Sequence, residues 1–381
     1  MKFYKSLFYA VLLSTVAGVN AGAIETKAKN AIVMDYDTGE YLYTKDAFAP
    51  VPPASMSKLM TIYILFSKIK DGSLSLEDTF TVSENAWRKG GAASGSSTMF
   101  LPIGDKVTVE DLIKGILIQS GNDACITVAE NIAGTEEDFA LMMNETAAEL
   151  GLKNSHFENS TGLPSPDHKM SVEDLAKLAQ AIIRDFPEFY PIFSQKSFTY
   201  HNITQGNRNP LLYSMSDADG LKTGHTEEAG FGLTASAKRG NRRIIGVMNG
   251  MTSNKERSEE AEKLMNWAFR EFDNYKVFKQ YERVVAVPVY MGVEDEIDLV
   301  AGNEEIFTLP RNEAKSAKLT AVYKKPIKAP IVQGEKLGEV RLEVEGNSPR
   351  IIPLYADHSV EKRGFGGRIL ANLSRLLFGG K

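Results

Sequence analysis

The sequence predicts an α+β protein, with helices packed on an antiparallel sheet, followed by a small all-β sandwich. Three observations carry this reading. Strand-like segments stand on both sides of a helical region, an early hairpin and a late meander, in positions that let them join in one sheet. From Tyr275 onward the pattern becomes short strands alone, with Gly, Asn or Pro turns roughly every 8–12 residues. The chain has 381 residues, 43% hydrophobic and 24% charged, which is ordinary globular composition and room for two or three domains.

Residues 1–23 read as a secretory signal. Lys2 and Lys5 precede an apolar run from Leu7 to Val19 that is short for a membrane span, and small residues follow it. Cleavage fits after Ala21 or after Ala23, with an uncleaved anchor as the alternative, so the protein is expected outside the cytoplasm. Residues 31–36 and 41–43 form the early hairpin around an Asp-Thr-Gly-Glu turn. Pro52 and Pro53 then mark a boundary, and Gly72 a stop. Between them apolar residues fall all round the helical wheel, which predicts a helix buried on every side.

Residues 88–98, rich in Gly, Ser and Ala, are expected as an exposed loop. Residues 109–117 read as an amphipathic helix, followed by a tight loop at 119–123 and a second helix near Ala124. Further helices are expected over 136–150, closed by Gly151, and from the capping-box-like Ser171 to Ile183. Residues 198–200 read as a strand. The meander begins near Lys222 and continues over 230–237 and 243–250, and Ser253 opens a helix to about Phe272. The all-β part has strands at 284–290, 296–300, 305–309, 318–323, 339–344 and 351–354; no nucleophile or ligand cluster stands out there, so spacing, support or a protein contact is its expected role. At the end, Ile369, Leu373, Leu376 and Leu377 form an apolar stripe beside Lys362, Arg363, Arg368 and Arg375. That pattern points to a helix lying on an anionic membrane surface, with docking on its own protein or oligomer formation as alternatives.

A net charge of −5 argues against a general nucleic-acid binder. Cys125 is the one cysteine, so no internal disulfide forms, and its position favours packing as a small apolar group. His156, His168, His201, His225 and His358 have no metal-ligand spacing, so no structural zinc is expected.

Three short motifs carry the chemistry. Ser55 and Lys58 are three apart at a helix start and share a face, a nucleophile with a candidate base one turn away. The helix dipole favours an anion there. Ser120 and Asn122 sit two apart on the inter-helix loop, and Lys222, Thr223 and Gly224 open a strand. Each alone has an ordinary structural reading: Ser55 as an N-cap, Asn122 in a capping turn, Lys222 as a surface lysine. All three in this order are a stronger signal.

At these motifs the chain resembles the low-molecular-mass penicillin-binding proteins, serine-type D-alanyl-D-alanine carboxypeptidases of the penicillin-binding protein 5 kind, and does so over nearly its whole length. The resemblance implies a β-lactamase/penicillin-binding transpeptidase-like domain over 24–273, a β-sandwich over 274–358 and a basic amphipathic membrane-anchoring helix over 359–381. It implies that Ser55 attacks the bond between two terminal D-alanines of peptidoglycan stems, with neutral Lys58 as base and Lys222 as the second cation that faces Ser120. Ser120 then relays the proton to the leaving amine. The N–H groups of Ser55 and His225 hold the oxyanion, Asn122 meets the substrate amide, Thr223 and Lys222 meet the terminal carboxylate, and the strand after Gly224 pairs with the peptide. Arg257 matches the family loosely. His168 lies on a polar loop and resembles a family position without an assignable role. β-Lactams are expected to acylate Ser55, and no cofactor is implied. A class A β-lactamase fits less well, because Gly121 stands where that family has Asp, and Gly162 stands four residues after Glu158 where it has Asn. A transpeptidase or endopeptidase of the same superfamily, and a penicillin-binding scaffold with little turnover, remain the alternatives.

Overall fold

The structure is a computed structural model that describes residues 24–344 and 348–365. The signal-like segment and the apolar stripe at 369–377 lie outside the described residues. The chain divides into two units.

The first unit runs to Val277 and takes in Ile306–Asn312. It begins with β1 (Asn30–Asp35) and β2 (Tyr41–Lys45). A single 3₁₀ turn, Ala54–Ser57, leads into α1 (Lys58–Lys70). Next come β3 (Thr79–Thr81), α2 (Glu84–Gly90), β4 (Lys106–Thr108), α3 (Val109–Lys114), α4 (Asn122–Ala133), α5 (Glu136–Glu149) and α6 (Val172–Asp185). A small hairpin of β5 (Ser197–Tyr200) and β6 (Ile203–Gly206), then α7 (Leu211–Ser214), precede the meander β7 (Ala218–Thr226), β8 (Gly230–Arg239) and β9 (Arg242–Met251). The 18-residue α8 (Asn254–Glu271) follows.

The early hairpin and the meander do join: the five strands lie in the order β2-β1-β9-β8-β7. The join is antiparallel, from Asn30 opposite Asn249 to Asp35 opposite Ile244. β9 is buried along its whole length, as a central strand with α6 and α8 packed on it requires. β7 is an edge strand, and that edge borders the candidate site. In α1, Leu59, Met60, Ile62, Leu65 and Phe66 are all buried, in keeping with apolar residues all round its wheel. Ser83, Thr108, Thr135, Ser171 and Ser253 each accept the N–H of the residue three further on, capping their helices.

The expectation of one exposed loop over 88–98 needs correction. α2 reaches Gly90, and a 3₁₀ turn covers Ala92–Ser94. Gly90 is a packing residue: a Cβ there would lie 2.3 Å from the Asp123 nitrogen. Its glycine therefore marks a close approach of α2 to α4, not a break in structure. The helix expected over 109–117 also changes character, since α3 ends at Lys114 and a π turn occupies Gly115–Gln119.

Among its described residues the second unit is built of strands, with one 3₁₀ turn at Ala314–Ser316: part of β10 (Phe272–Phe278), β11 (Arg283–Tyr290), β12 (Glu296–Ala301), the first residue of β13 (Glu305–Pro310), β14 (Lys318–Tyr323), β15 (Ile327–Lys328), β16 (Lys336–Glu343) and β17 (Arg350–Ala356). Its main sheet has six strands in the order β14-β16-β17-β12-β11-β15. β10 pairs with β13 separately and runs across the boundary expected at 273/274. Residues 359–363, which the sequence reading gives to the tail, pair inside this unit: Val360 bridges Ile331, and the Arg363 N–H donates to the Met291 carbonyl.

Candidate active site

Ser55 sits in the 3₁₀ turn, directly after Ala54, whose φ of 49° places a residue with a side chain in the left-handed region. The turn is held from behind by Gly162, with φ of 77°. A Cβ at 162 would come within 2.0 Å of the Ala54 carbonyl oxygen, so only glycine allows this approach. Gly224 of β7 also approaches the turn, less tightly; a Cβ there would meet the Pro53 carbonyl at 2.8 Å. Ser55 is half-buried on the cleft wall.

Lys58 is the first residue of α1 and has no solvent exposure. Its Nζ lies 2.9 Å from Ser55 Oγ, 2.7 Å from Asn122 Oδ1 and 2.5 Å from the Thr161 carbonyl. Burial lowers its pKa to about 8, against which the surrounding acidic groups work weakly. Lys222 of β7 is 1% exposed, and its Nζ reaches Ser120 Oγ at 2.9 Å and the Thr223 carbonyl at 3.0 Å. Burial, then repulsion from Lys58 and Arg208, puts it well below the ordinary lysine range. Both amines therefore release a proton more readily than an ordinary lysine.

Ser120 has φ of 65° and follows the π turn, which carries the chain out of helix α3 and aims the serine at Lys222. Asn122 is engaged on both sides, its Oδ1 by Lys58 and its Nδ2 by the Ser96 hydroxyl at 3.0 Å, which leaves one Nδ2 hydrogen for the cleft. Thr223 is 6% exposed and lines the cleft; His225 is exposed, with its ring 3.9 Å from that of Phe231. The cleft measures about 900 Å³ and is lined by Ser55, Ser120, Asn122, Thr223, Gly224 and His225, among others. Of the eight residues singled out in the sequence, Lys58 and Lys222 lie just beneath that surface.

Asp123, Thr161 and Arg208 contribute without having been singled out in the sequence. Asp123, the residue after Asn122 in the turn with a capping reading, has no solvent exposure and accepts from the Thr98 hydroxyl and from the N–H groups of Met99, Leu101 and Ala124. It fastens the 97–101 segment to the Ser120 loop. Its one legible sign is a carboxylate beside a motif. Thr161 acts through its carbonyl, for which a sequence has no signal. Arg208 reaches Ser97 Oγ at 2.5 Å on the cleft rim. Arg257 is 6% exposed, held by Asn254 at 2.5 Å, with its Nε unpartnered and its guanidinium over Phe231. Burial lowers it to about 10. His168 is buried outside this cleft lining; its Nδ1 accepts the Glu158 N–H at 3.2 Å, and burial lowers its pKa to about 4. Cys125 is fully buried, which pushes its thiol up to about 12. Among the described residues no group of His, Cys, Asp and Glu has the make-up of a metal site.

The arrangement is that of a serine acyl-transfer centre. Residues 17–252 match the family model described as D-alanyl-D-alanine carboxypeptidase, and residues 272–362 match the penicillin-binding protein 5 C-terminal domain. The chain is 39% identical to the D-alanyl-D-alanine carboxypeptidase DacC of Escherichia coli over 366 residues, covering 95% of this chain and 91% of that protein. It is 41% identical to DacD of the same organism over 323 residues, covering 84% and 83%. The crystal structure of penicillin binding protein 5 from Haemophilus influenzae superposes with a TM-score of 0.80 at 34% identity, covering 89% of this chain and 99% of that one.

Proposed function

Because the chain belongs to the D-alanyl-D-alanine carboxypeptidase family, peptidase S11, we propose that it removes the terminal D-alanine from peptidoglycan pentapeptide stems through an acyl-enzyme on Ser55. The observation that carries the residue assignment is the hydrogen-bond count at Lys58. A neutral amine has two N–H bonds and one lone pair. Two of its three partners, Asn122 Oδ1 and the Thr161 carbonyl, only accept. The third position meets Ser55 Oγ at 2.9 Å: in the protonated amine it is an N–H that donates to the hydroxyl oxygen, and on deprotonation it becomes the lone pair that takes the hydroxyl proton.

Ser55 Oγ attacks the carbonyl carbon of the scissile bond while Lys58 takes the hydroxyl proton. The oxyanion is met by the N–H groups of Ser55, in a first turn whose amides lack helical partners, and of His225. Ser120 passes a proton to the departing D-alanine amine, the C–N bond breaks, and water then hydrolyses the ester to regenerate Ser55. Thr223 and Lys222, with Arg257 behind them, receive the terminal carboxylate. That anion favours the charged form of Lys222, which burial and the neighbouring cations otherwise lower well below the ordinary lysine range, and leaves Lys58, lowered to about 8, as the amine that takes the proton. The open edge of β7 supports an extended peptide docking as an added strand. β-Lactams follow the same first step and stop at the ester. Such trimming limits cross-linking of the wall.

The protein is exported, and the segment 366–381 holds it on the outer face of the cytoplasmic membrane. Among the described residues no helix is long and apolar enough to cross a membrane. The test of the reaction is D-alanine released per enzyme from a peptide ending in D-Ala-D-Ala, beside a Ser55→Ala control. Many turnovers that vanish in the control are expected. One equivalent or less, with stable penicillin labelling of Ser55, would replace hydrolysis with transfer to an amine or with a scaffold role.

A further inference from the structure

The all-β unit contains a cleft that this reaction does not use. It measures about 610 Å³, within the size range of small-ligand sites, and is lined by Tyr281, Gly302, Asn303, Gln333, Tyr355 and Asp357 among others. Tyr281 has φ of 58°, a backbone conformation that bulky residues avoid and glycine takes freely. Its N–H is fixed to the Ala301 carbonyl at 2.8 Å, yet the residue is 69% exposed. Packing therefore does not account for a tyrosine at this turn. On the other side, a Cβ at Gly302 would meet the Tyr355 ring at 2.7 Å, so glycine is what lets that ring approach the backbone.

The polar groups are equally specific. The Gln333 side-chain amide donates to the Asp357 carbonyl at 2.9 Å, and its backbone N–H donates to Ser359 Oγ at 2.9 Å. This fixes the side chain and leaves its oxygen as an acceptor. Among the described residues no hydrogen bond within the chain engages the Asn303 side chain or the Tyr281 and Tyr355 hydroxyls. One carboxylate and no lysine or arginine line the cleft, which disfavours an anion. Two amphipathic rings with an amide-rich, uncharged majority of polar groups suit a polyhydroxylated ligand: the rings cover its C–H faces, while amide, hydroxyl and carboxylate groups pair with its hydroxyl and acetamido groups.

We propose that this cleft binds a neutral sugar chain. Its identity rests on the proposed function: the N-acetylated amino-sugar backbone that carries the stem peptides. Holding that polymer raises the local concentration of peptide ends at the enzyme without altering its chemistry. The test is calorimetric titration of the full chain with tetra-N-acetylchitotetraose, before and after penicillin has saturated Ser55. Binding is expected to survive penicillin, to weaken at least about tenfold in Tyr281→Ala and in Gln333→Ala, and to persist in Tyr281→Phe, which keeps the ring. D-Alanine release from a short soluble peptide is expected unchanged in all three variants, which also reports that they are folded, while release from intact wall polymer falls in Tyr281→Ala. Absence of binding by the native chain, binding undiminished in both alanine variants, or loss of binding on acylation by penicillin would overturn the proposal. Sugar binding without D-alanine release would support the cleft and overturn the proposed reaction instead.

Discussion

Lys58 and His168 are buried bases whose environments set opposite tasks. For Lys58 the neutral form is the working one, so Ser55 acylation should rise with pH and level off above about 8, the value to which burial lowers this amine. A stopped-flow pH profile with a chromogenic cephalosporin checks it. Lys58→Arg keeps the charge but cannot deprotonate, and should slow acylation about 10²–10⁴-fold at every pH. A profile flat from pH 6 to 10 would remove Lys58 from the role of base. His168 instead affects stability. Its folded pKa is lowered to about 4, from an ordinary 6.5, by burial. The unfolded chain thus binds more protons between those values, and stability falls as pH drops from 6.5 toward 4, by about 3 kcal/mol in total from this group. Thermal melts across that range should show a steeper loss in the native protein than in His168→Asn.

At the scale of elements, the site depends on segments that meet because particular residues let them. Asp123 ties the 97–101 segment to the start of α4. Asp123→Ala leaves a hydroxyl and several amides unpaired in the interior and should cost about 3 kcal/mol or more. Penicillin acylation should slow as well, because Asp123 fixes the start of α4, where the preceding residue Asn122 accepts from Lys58. A cap that serves only a helix should behave differently. Ser171 accepts the Asp174 N–H at 3.0 Å, and Ser171→Ala should lower stability by about 1 kcal/mol with acylation unchanged. Chemical denaturation and acylation rates, measured together on the two variants, separate a site-building contact from an ordinary one. Gly162 belongs with the first kind: Gly162→Ala places a Cβ against the Ala54 carbonyl at an unfavourable φ, and should disable Ser55 even where the fold survives.

For the whole molecule, the question is what attaches it and where. The chain through Arg363 is paired within the all-β unit, so a deletion that tests the tail should start after Phe365. Removal of residues 366–381 is expected to release the protein from membranes with D-alanine release from soluble peptide intact. Sedimentation with the membrane fraction after that deletion would end the attachment proposal. The reach of the first unit into Ile306–Asn312 also advises against separating the units at 273/274. Thr308 donates to Asn274 at 2.8 Å, and Asn274 donates to the buried Asp35 at 3.1 Å, so a cut there strips hydrogen bonds from the first unit.

Local pattern located several elements: the Pro and Gly boundaries and all-round apolar wheel of α1, the capping-box start of α6, alternation in the meander, and the helix start at Ser253. The spacing of residues within a motif tied Ser55 to Lys58 and Ser120 to Asn122, and the resemblance carried by the order of the three motifs implied that Ser55, Lys58, Ser120 and Lys222 form one constellation. What only the tertiary structure decided were contacts between segments far apart in the chain. The Thr161 carbonyl at Lys58 has no side chain to announce it. Asp123 looked like a cap until the strands of loop it gathers were in place, and Gly90 looked like a loop residue until α4 lay against it. The lowered pKa values belong to the same class, since burial is a property of packing and not of sequence neighbours.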